Sequence, residues 1–133
     1  MAEERKKRIL VVEDEPDIQE MIHTMLQRVG WETVAALDVP QAVNVLRTKP
    51  LPDVVLLDLM LPGIDGFELL RQMRAKPVFD NLPVIIVSAL ADPESIRKGL
   101  DLGADRYVTK VGIATNLIKT VQEVLRNGRR KAE

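Results

Sequence analysis

"DVVLLDLMLPGIDG", residues 53–66, is the stretch whose reading decides the fold. Four apolar residues in succession, Val54 to Leu57, read as a strand covered on both faces, because a strand with one wet face alternates polar and apolar side chains. The run then ends in a carboxylate, Asp58, followed by the turn pairs Pro62-Gly63 and Asp65-Gly66. A charge left unpaired at the end of a buried strand costs several kcal/mol. Asp58 is therefore either a solvated strand terminus or the seat of a positive partner.

The same texture recurs on either side. Apolar runs at Ile9–Val12, Thr33–Ala36, Val54–Leu57, Val84–Val87 and the weaker Arg106–Thr109 are the expected strands β1 to β5. Helical patterns fall after each of them and are the expected helices α1 to α5. Residues 16–29 carry Ile18, Met21, Ile22, Met25, Leu26 and Val29 at spacings of three and four, opening on a proline and stopping at Gly30. Residues 40–48 again open on a proline and carry Ala42, Val43 and Leu46, and residues 65–75 carry Phe67, Leu69, Leu70 and Met73. Asp92-Pro93 opens 93–101 as cap and first helical residue. Residues 114–126 carry Leu117, Ile118, Val121, Val124 and Leu125, with Gly128 as the stop. Five βα units in a row imply right-handed crossovers and helices on both sides of a parallel sheet. The expected architecture is one doubly wound α/β domain over residues 9–127, with a basic N-terminal tail at 1–8 and a C-terminal tail or linker stub at 128–133.

Composition narrows the function classes. A chain of 133 residues buries enough surface to fold without staples, and it has no cysteine for a disulfide or thiolate metal site. No apolar run approaches the roughly 20 residues of a membrane span, and no apolar segment follows the basic start as in a secretory leader. A cytoplasmic protein is expected. With a net charge of −1 the domain does not read as a nucleic-acid binder; the basic clusters Arg5–Arg8 and Arg126–Lys131 read as solvated tails.

Doubly wound sheets bind ligands beyond the carboxyl ends of their strands. Glu13-Asp14-Glu15 follows β1, Asp58 follows β3, Ser88 follows β4 and Lys110 follows β5. Carboxylates from neighbouring strand ends repel, and a divalent cation resolves this; an all-oxygen donor set suits Mg²⁺ better than Zn²⁺. Taken singly, Glu13-Asp14 could merely favour the positive end of α1, Ser88 could be a turn residue, and Lys110 a surface charge. Together they describe a metal-plus-anion site in which Asp58 attacks a phosphoryl group while Mg²⁺ and Lys110 stabilise its oxygens.

At this point the chain resembles the receiver domain of two-component response regulators, through "VVEDEPDI" (11–18), "DVVLLDLMLPGIDGFELL" (53–70), "PVIIVSAL" (83–90) and "GADRYVTK" (103–110). The resemblance runs from about Ile9 to Leu125. It implies a flavodoxin-like (βα)5 fold of strand order 2-1-3-4-5. Asp58 matches the phosphoacceptor. Asp14 matches a direct Mg²⁺ ligand, Glu13 one acting through water, and the Met60 carbonyl a further ligand. Ser88 matches the switch hydroxyl, Lys110 the phosphoryl-binding lysine and Tyr107 the switch aromatic. The implied partners are a sensor histidine kinase or phosphotransfer protein and an output domain or partner protein, with possible homodimerisation through the α4-β5-α5 face.

Two departures from the family pattern carry expectations. Val111 stands where proline usually follows the lysine with a cis bond, so the 110–111 bond is expected to be trans, or strained if cis. Met60 and Leu90 are apolar where side chains tune the hydrolytic water, so slow autodephosphorylation is expected. Trp31 is expected about 20 Å from the metal, beyond a helix of about 14 residues. His23, the single histidine, reads as a surface residue. A haloacid-dehalogenase-like phosphatase would carry an acid/base aspartate where Met60 stands, and a nucleotide-binding module would carry a glycine-rich phosphate loop. The remaining alternative is a phosphorylation-independent receiver-like interaction module.

Overall fold

The computed structural model describes residues 6–61, 63 and 65–130. Its strands are β1 (Arg8–Val12), β2 (Glu32–Ala36), β3 (Val54–Leu57), β4 (Val84–Ser88) and β5 (Arg106–Thr109). Its helices are α1 (Pro16–Arg28), α2 (Val39–Leu46), α3 (Gly66–Arg74), α4 (Pro93–Asp101) and α5 (Ile113–Asn127), with 3-10 turns at Pro77–Phe79 and Lys110–Gly112. The strands form one parallel sheet of order β2-β1-β3-β4-β5. The central β1 and β3 pair Val12 with Leu57, so the residues that follow each strand leave the sheet side by side.

The continuous hydrophobicity of the central strands has the physical reason inferred from the sequence: both faces are covered. Leu10, Val12, Val55, Leu57, Val84 and Ile86 pack toward α2 and α3, against Ala42, Leu46, Leu69, Leu70 and Met73. Ile9, Val11, Val54, Leu56, Ile85 and Val87 pack on the other face against Ile22 and Leu26 of α1 and Leu117, Val121 and Val124 of α5. Each of these strand side chains is essentially withdrawn from water, worth roughly 1.5–3 kcal/mol apiece by transfer.

Helix starts follow their caps. Asp38 accepts a hydrogen bond from the Gln41 amide, and the Gln41 side chain returns one from the Leu37 amide, so α2 begins at Val39, one residue before the proline expected to open it. Asp65 and Asp92 cap α3 and α4 through the amides of Glu68 and Ser95. The Lys110–Val111 peptide is trans; the cis bond found among the described residues is Lys49–Pro50.

Three expectations change. Ser88 is the last residue of β4, paired with Thr109, rather than the first beyond it. His23 is half-buried, its ring hydrogen-bonded to the Thr33 hydroxyl of edge strand β2. At the C-terminus, Arg129 and Arg130 are not free tail residues: the Arg129 side chain and the Arg130 amide both bond to Asp105, whose side chain has no exposed surface. Asp105 Oδ1 accepts from Arg129 Nε (3.0 Å) and the Arg130 amide (2.9 Å). Its Oδ2 accepts from Arg74 Nη2 (3.2 Å) and the Val84 amide (2.9 Å). This cluster sits where β4 and β5 begin, at the sheet end opposite Asp58, and ties the residues after α5 to the α4–β5 turn. Pro62, Lys131 and residues 1–5 lie outside the described residues.

Candidate functional site

The carboxyl ends of β1 and β3 bring the acids together. The Glu13 amide donates to the Ala36 carbonyl, extending the β1–β2 pairing by one residue, and the Asp58 amide donates to the Val12 carbonyl. Backbone pairing thus continues to the acidic residues, and they leave the sheet in fixed directions. Glu13 and Asp58 are each only 2% exposed and Asp14 is half-buried. One carboxylate oxygen from each of the three lies within 4.8 Å of the others.

Each buried carboxylate is held from two sides. Asp58 Oδ1 accepts from the Met60 amide (3.1 Å) while Oδ2 accepts from Lys110 Nζ (3.1 Å). Glu13 Oε2 accepts from the Glu15 amide (3.1 Å) while Oε1 lies 2.8 Å from Lys110 Nζ. Lys110 is also 3.7 Å from Glu15 Oε1. One ammonium therefore meets Glu13, Asp58 and, at the rim, Glu15, in a site that holds the Asp14 carboxylate as well. Two like charges 4 Å apart repel by about 4 kcal/mol at an effective dielectric near 20, so the cluster is under-neutralised. Burial, with a contribution from Asp58, raises Glu13 from 4.5 to about 6, although Lys110 and the Glu15 amide oppose the shift. Burial pulls Lys110 down, but its bonds to Glu13 and Asp58 outweigh this and hold it above its ordinary value. An all-oxygen pocket with excess negative charge fits a hard divalent cation.

The Asp58 loop closes tightly. Gly63 adopts φ +79°, in the left-handed region. A Cβ on Gly66 would lie 2.4 Å from the Asp58 carbonyl oxygen and 2.8 Å from the Leu59 Cα, so α3 can start against the end of β3 only with glycine there. The Gly66 amide donates to the Leu59 carbonyl and fastens that approach.

Ser88 and Tyr107 meet at one residue, Leu90. The fully buried Ser88 Oγ accepts from the Leu90 amide (3.2 Å), and the Tyr107 hydroxyl donates to the Leu90 carbonyl (2.7 Å). Burial first, with Asp92 and Asp58 adding to it, raises the Tyr107 hydroxyl above its ordinary value. The ring lies beneath α4 at Gly99, where a Cβ would come within 2.4 Å of Ile86 Cδ1 and 3.6 Å of the tyrosine.

All the sequence-predicted side chains thus gather at one end of the sheet. The fold gathers Glu13, Asp14 and Asp58, sets Lys110 on Glu13 and Asp58, and joins Ser88 and Tyr107 through Leu90. Met60 exposes its side chain and offers its amide to Asp58. Val111 is 98% exposed and does not keep Lys110 from the acids. Sequence reasoning missed Gln19. It is buried, and its Nε2 lies 2.8 Å from the Val11 carbonyl and 3.1 Å from those of Glu13 and Ala36. A signal was present, since position 19 shares a helical face with Ile22 and Leu26, and a polar residue there needs partners.

The comparisons with known proteins agree with this geometry. The family model described as "Response regulator receiver domain" matches residues 9–122. The phosphate regulon transcriptional regulatory protein PhoB of Escherichia coli is 38% identical over 120 residues, covering 90% of this chain and 52% of that protein. The chain thus spans about half the length of the curated relatives it matches. Among solved structures, the receiver domain of the Francisella response regulator 1452 superposes with a TM-score of 0.84 at 34% identity, covering 92% of this chain and 98% of that one. The BeF3-activated N-terminal receiver domain of Klebsiella pneumoniae RstA gives 0.83 at 29% identity, covering 90% and 99%. With its 2-1-3-4-5 sheet and the acids and lysine at one end of it, the chain belongs to the response regulator receiver domain family of two-component signalling.

Proposed function

We propose that this domain, residues 9–127, is a phosphorylation-dependent switch that accepts a phosphoryl group on Asp58 from the phosphohistidine of a sensor kinase or phosphotransfer protein. The observation that carries the reading is the meeting of Glu13, Asp14 and Asp58 within 4.8 Å, with Lys110 bonded to Asp58. Asp14, Asp58 and the Met60 carbonyl would hold Mg²⁺ directly, with Glu13 acting through water. When bound, Mg²⁺ supplies positive charge against the Asp58 carboxylate and the oxygens of the transferring group. Asp58 is the nucleophile: one oxygen attacks phosphorus in line as the N–P bond of the donor breaks, and the bonding pair leaves with the imidazole nitrogen. Lys110 keeps its proton and pairs with a phosphoryl oxygen in place of the Asp58 oxygen it holds beforehand.

The Ser88 hydroxyl then turns to the phosphoryl group. This frees the Leu90 amide, and the backbone at Leu90 can then turn and shift the next peptide, whose carbonyl holds Tyr107, so the β4–α4 loop carries the event to the α4-β5-α5 surface. That surface would engage an output domain, a partner protein or a second receiver, within the cytoplasm. Nucleic-acid contact is not assigned to this domain. The domain catalyses its own phosphoryl transfer, and autodephosphorylation is slow, because Met60 and Leu90 have no group that can orient water.

Incubation with Mg²⁺ and a small phosphodonor, followed by intact mass, tests the reading. A gain of one phosphoryl group that disappears in Asp58→Asn is expected. No gain in the wild type would instead favour a phosphorylation-independent interaction module, the reading that Val111 in place of proline suggests.

A further inference from the structure

Gln19 has the features of a group placed for the site. It stands on the first turn of α1, six residues after Glu13, in a position whose helical neighbours Ile22 and Leu26 are core residues. An apolar side chain would be the simple choice there. Instead a primary amide is buried, a cost that its hydrogen bonds must offset. Its nitrogen meets three carbonyls on two strands: Val11 within β1, Glu13 just beyond it, and Ala36 at the end of β2. The Ala36 carbonyl also receives the Glu13 amide at 3.0 Å, so Gln19 and the Glu13 backbone share an acceptor. The α1 backbone is fixed to the same loop, as the Gln19 amide donates to the Glu15 carbonyl (3.0 Å).

We infer that Gln19 is a positioning residue for the metal-binding acids, an inference that rests on the metal reading given above. The peptide carrying the Glu13 carbonyl also carries the Asp14 amide, so a hydrogen bond at that oxygen fixes the plane from which the Asp14 side chain departs. Gln19 therefore sets the directions of Glu13 and Asp14 without touching a metal or phosphoryl group. Groups that orient metal ligands in this way typically change metal affinity by about 10–100-fold when removed.

Gln19→Met keeps length and apolar volume and removes the two N–H donors. Its Mg²⁺ affinity, titrated calorimetrically with Mg²⁺ alone, is expected to fall about tenfold or more. Ile22→Ala, one turn along the same helix face, serves as the control for general loosening of α1: it lowers the urea midpoint while leaving Mg²⁺ affinity within about twofold. Equal affinity loss in both variants, or unchanged affinity in Gln19→Met, overturns the inference and leaves the metal reading intact. Failure of the wild type to bind Mg²⁺ overturns both. If the Met variant does not fold, the wild type still decides: the Gln19 side-chain amide resonances must shift on Mg²⁺ titration. Resonances that stay still while those of Asp14 move refute the role.

Discussion

Asp105 is the most heavily satisfied carboxylate in the described residues, and Asp105→Asn should be correspondingly expensive. The side chain has no exposed surface and accepts four hydrogen bonds, two of them from arginine side chains and two from backbone amides. Asparagine fits the space but has one acceptor oxygen. Whichever way it turns, its NH2 faces donors, either the Arg74–Val84 pair or the Arg129–Arg130 pair. The Arg74 and Arg129 charges also lose their common counter-ion. Arg74 is already lowered to about 10, by burial first and then by Arg129. Removing one partner from a buried ion pair costs about 3–5 kcal/mol. The low end applies, because Arg74 keeps the carbonyls of Phe79, Leu82 and Gly103. We expect about 3 kcal/mol by urea unfolding, and a fall in Tm on the order of 10 °C for a domain of this size. Arg129→Ala should cost only about 1 kcal/mol, since that side chain is 28% exposed and water replaces part of what it gives. A chain ending at Gly128 should lose at least as much as Arg129→Ala, because the Arg130 amide goes too. Asp105→Asn costing under about 1 kcal/mol, or a chain ending at Gly128 as stable as the full one, would refute the idea that these residues close the domain.

Three further outcomes follow from the site. Glu13 binds its proton more tightly folded than unfolded, so without metal its contribution to stability falls as pH rises from 4.5 to about 6, by about 2 kcal/mol in all; the difference in Tm between wild type and Glu13→Gln across that window measures it, and Mg²⁺ binding should weaken as pH drops through about 6. Gly66→Ala forces a Cβ into the Asp58 and Leu59 backbone and should cost about 1–3 kcal/mol or more in urea unfolding, together with a loss of Mg²⁺ affinity. Lys110→Met leaves Glu13 and Asp58 without their ammonium; it should destabilise the metal-free protein by about 3 kcal/mol, yet gain more Tm on adding Mg²⁺ than the wild type does.

The fold was legible because its strongest determinant, burial on both strand faces, leaves a mark in single residues: Val54–Leu57 and Val84–Val87 have no polar position. Helix bounds were less so. The start of α2 depends on Asp38 and Gln41 bonding across the cap, and the eye falls first on the proline. The site's residue types were readable because each stands at a strand end, where topology alone makes them neighbours. What the sequence hid was contact between distant segments. Nothing local in "GRRK" says that Arg129 reaches Asp105, and nothing in "QEMIHTML" says that Gln19 reaches two strands. Such contacts depend on the packing angle of helices, which no short pattern encodes.

The two ends of the sheet treat carboxylates in opposite ways, and the contrast separates function from stability. At the amino end, one acid, Asp105, has two arginines and two amides, and nothing there is left to bind. At the carboxyl end, three acids cluster while one lysine bonds two of them, Glu13 and Asp58, and Asp58 keeps an amide and that ammonium as its partners. A fold selected only for stability would discard the second arrangement, since like charges packed together raise the energy of the native state. Its presence beside a saturated counterpart in the same sheet supports the proposal that the missing positive charge is supplied from solution. A saturated carboxylate fastens the domain, whereas an under-neutralised one is suited to the proposed function, in which it gains a cation and, with it, a phosphoryl group.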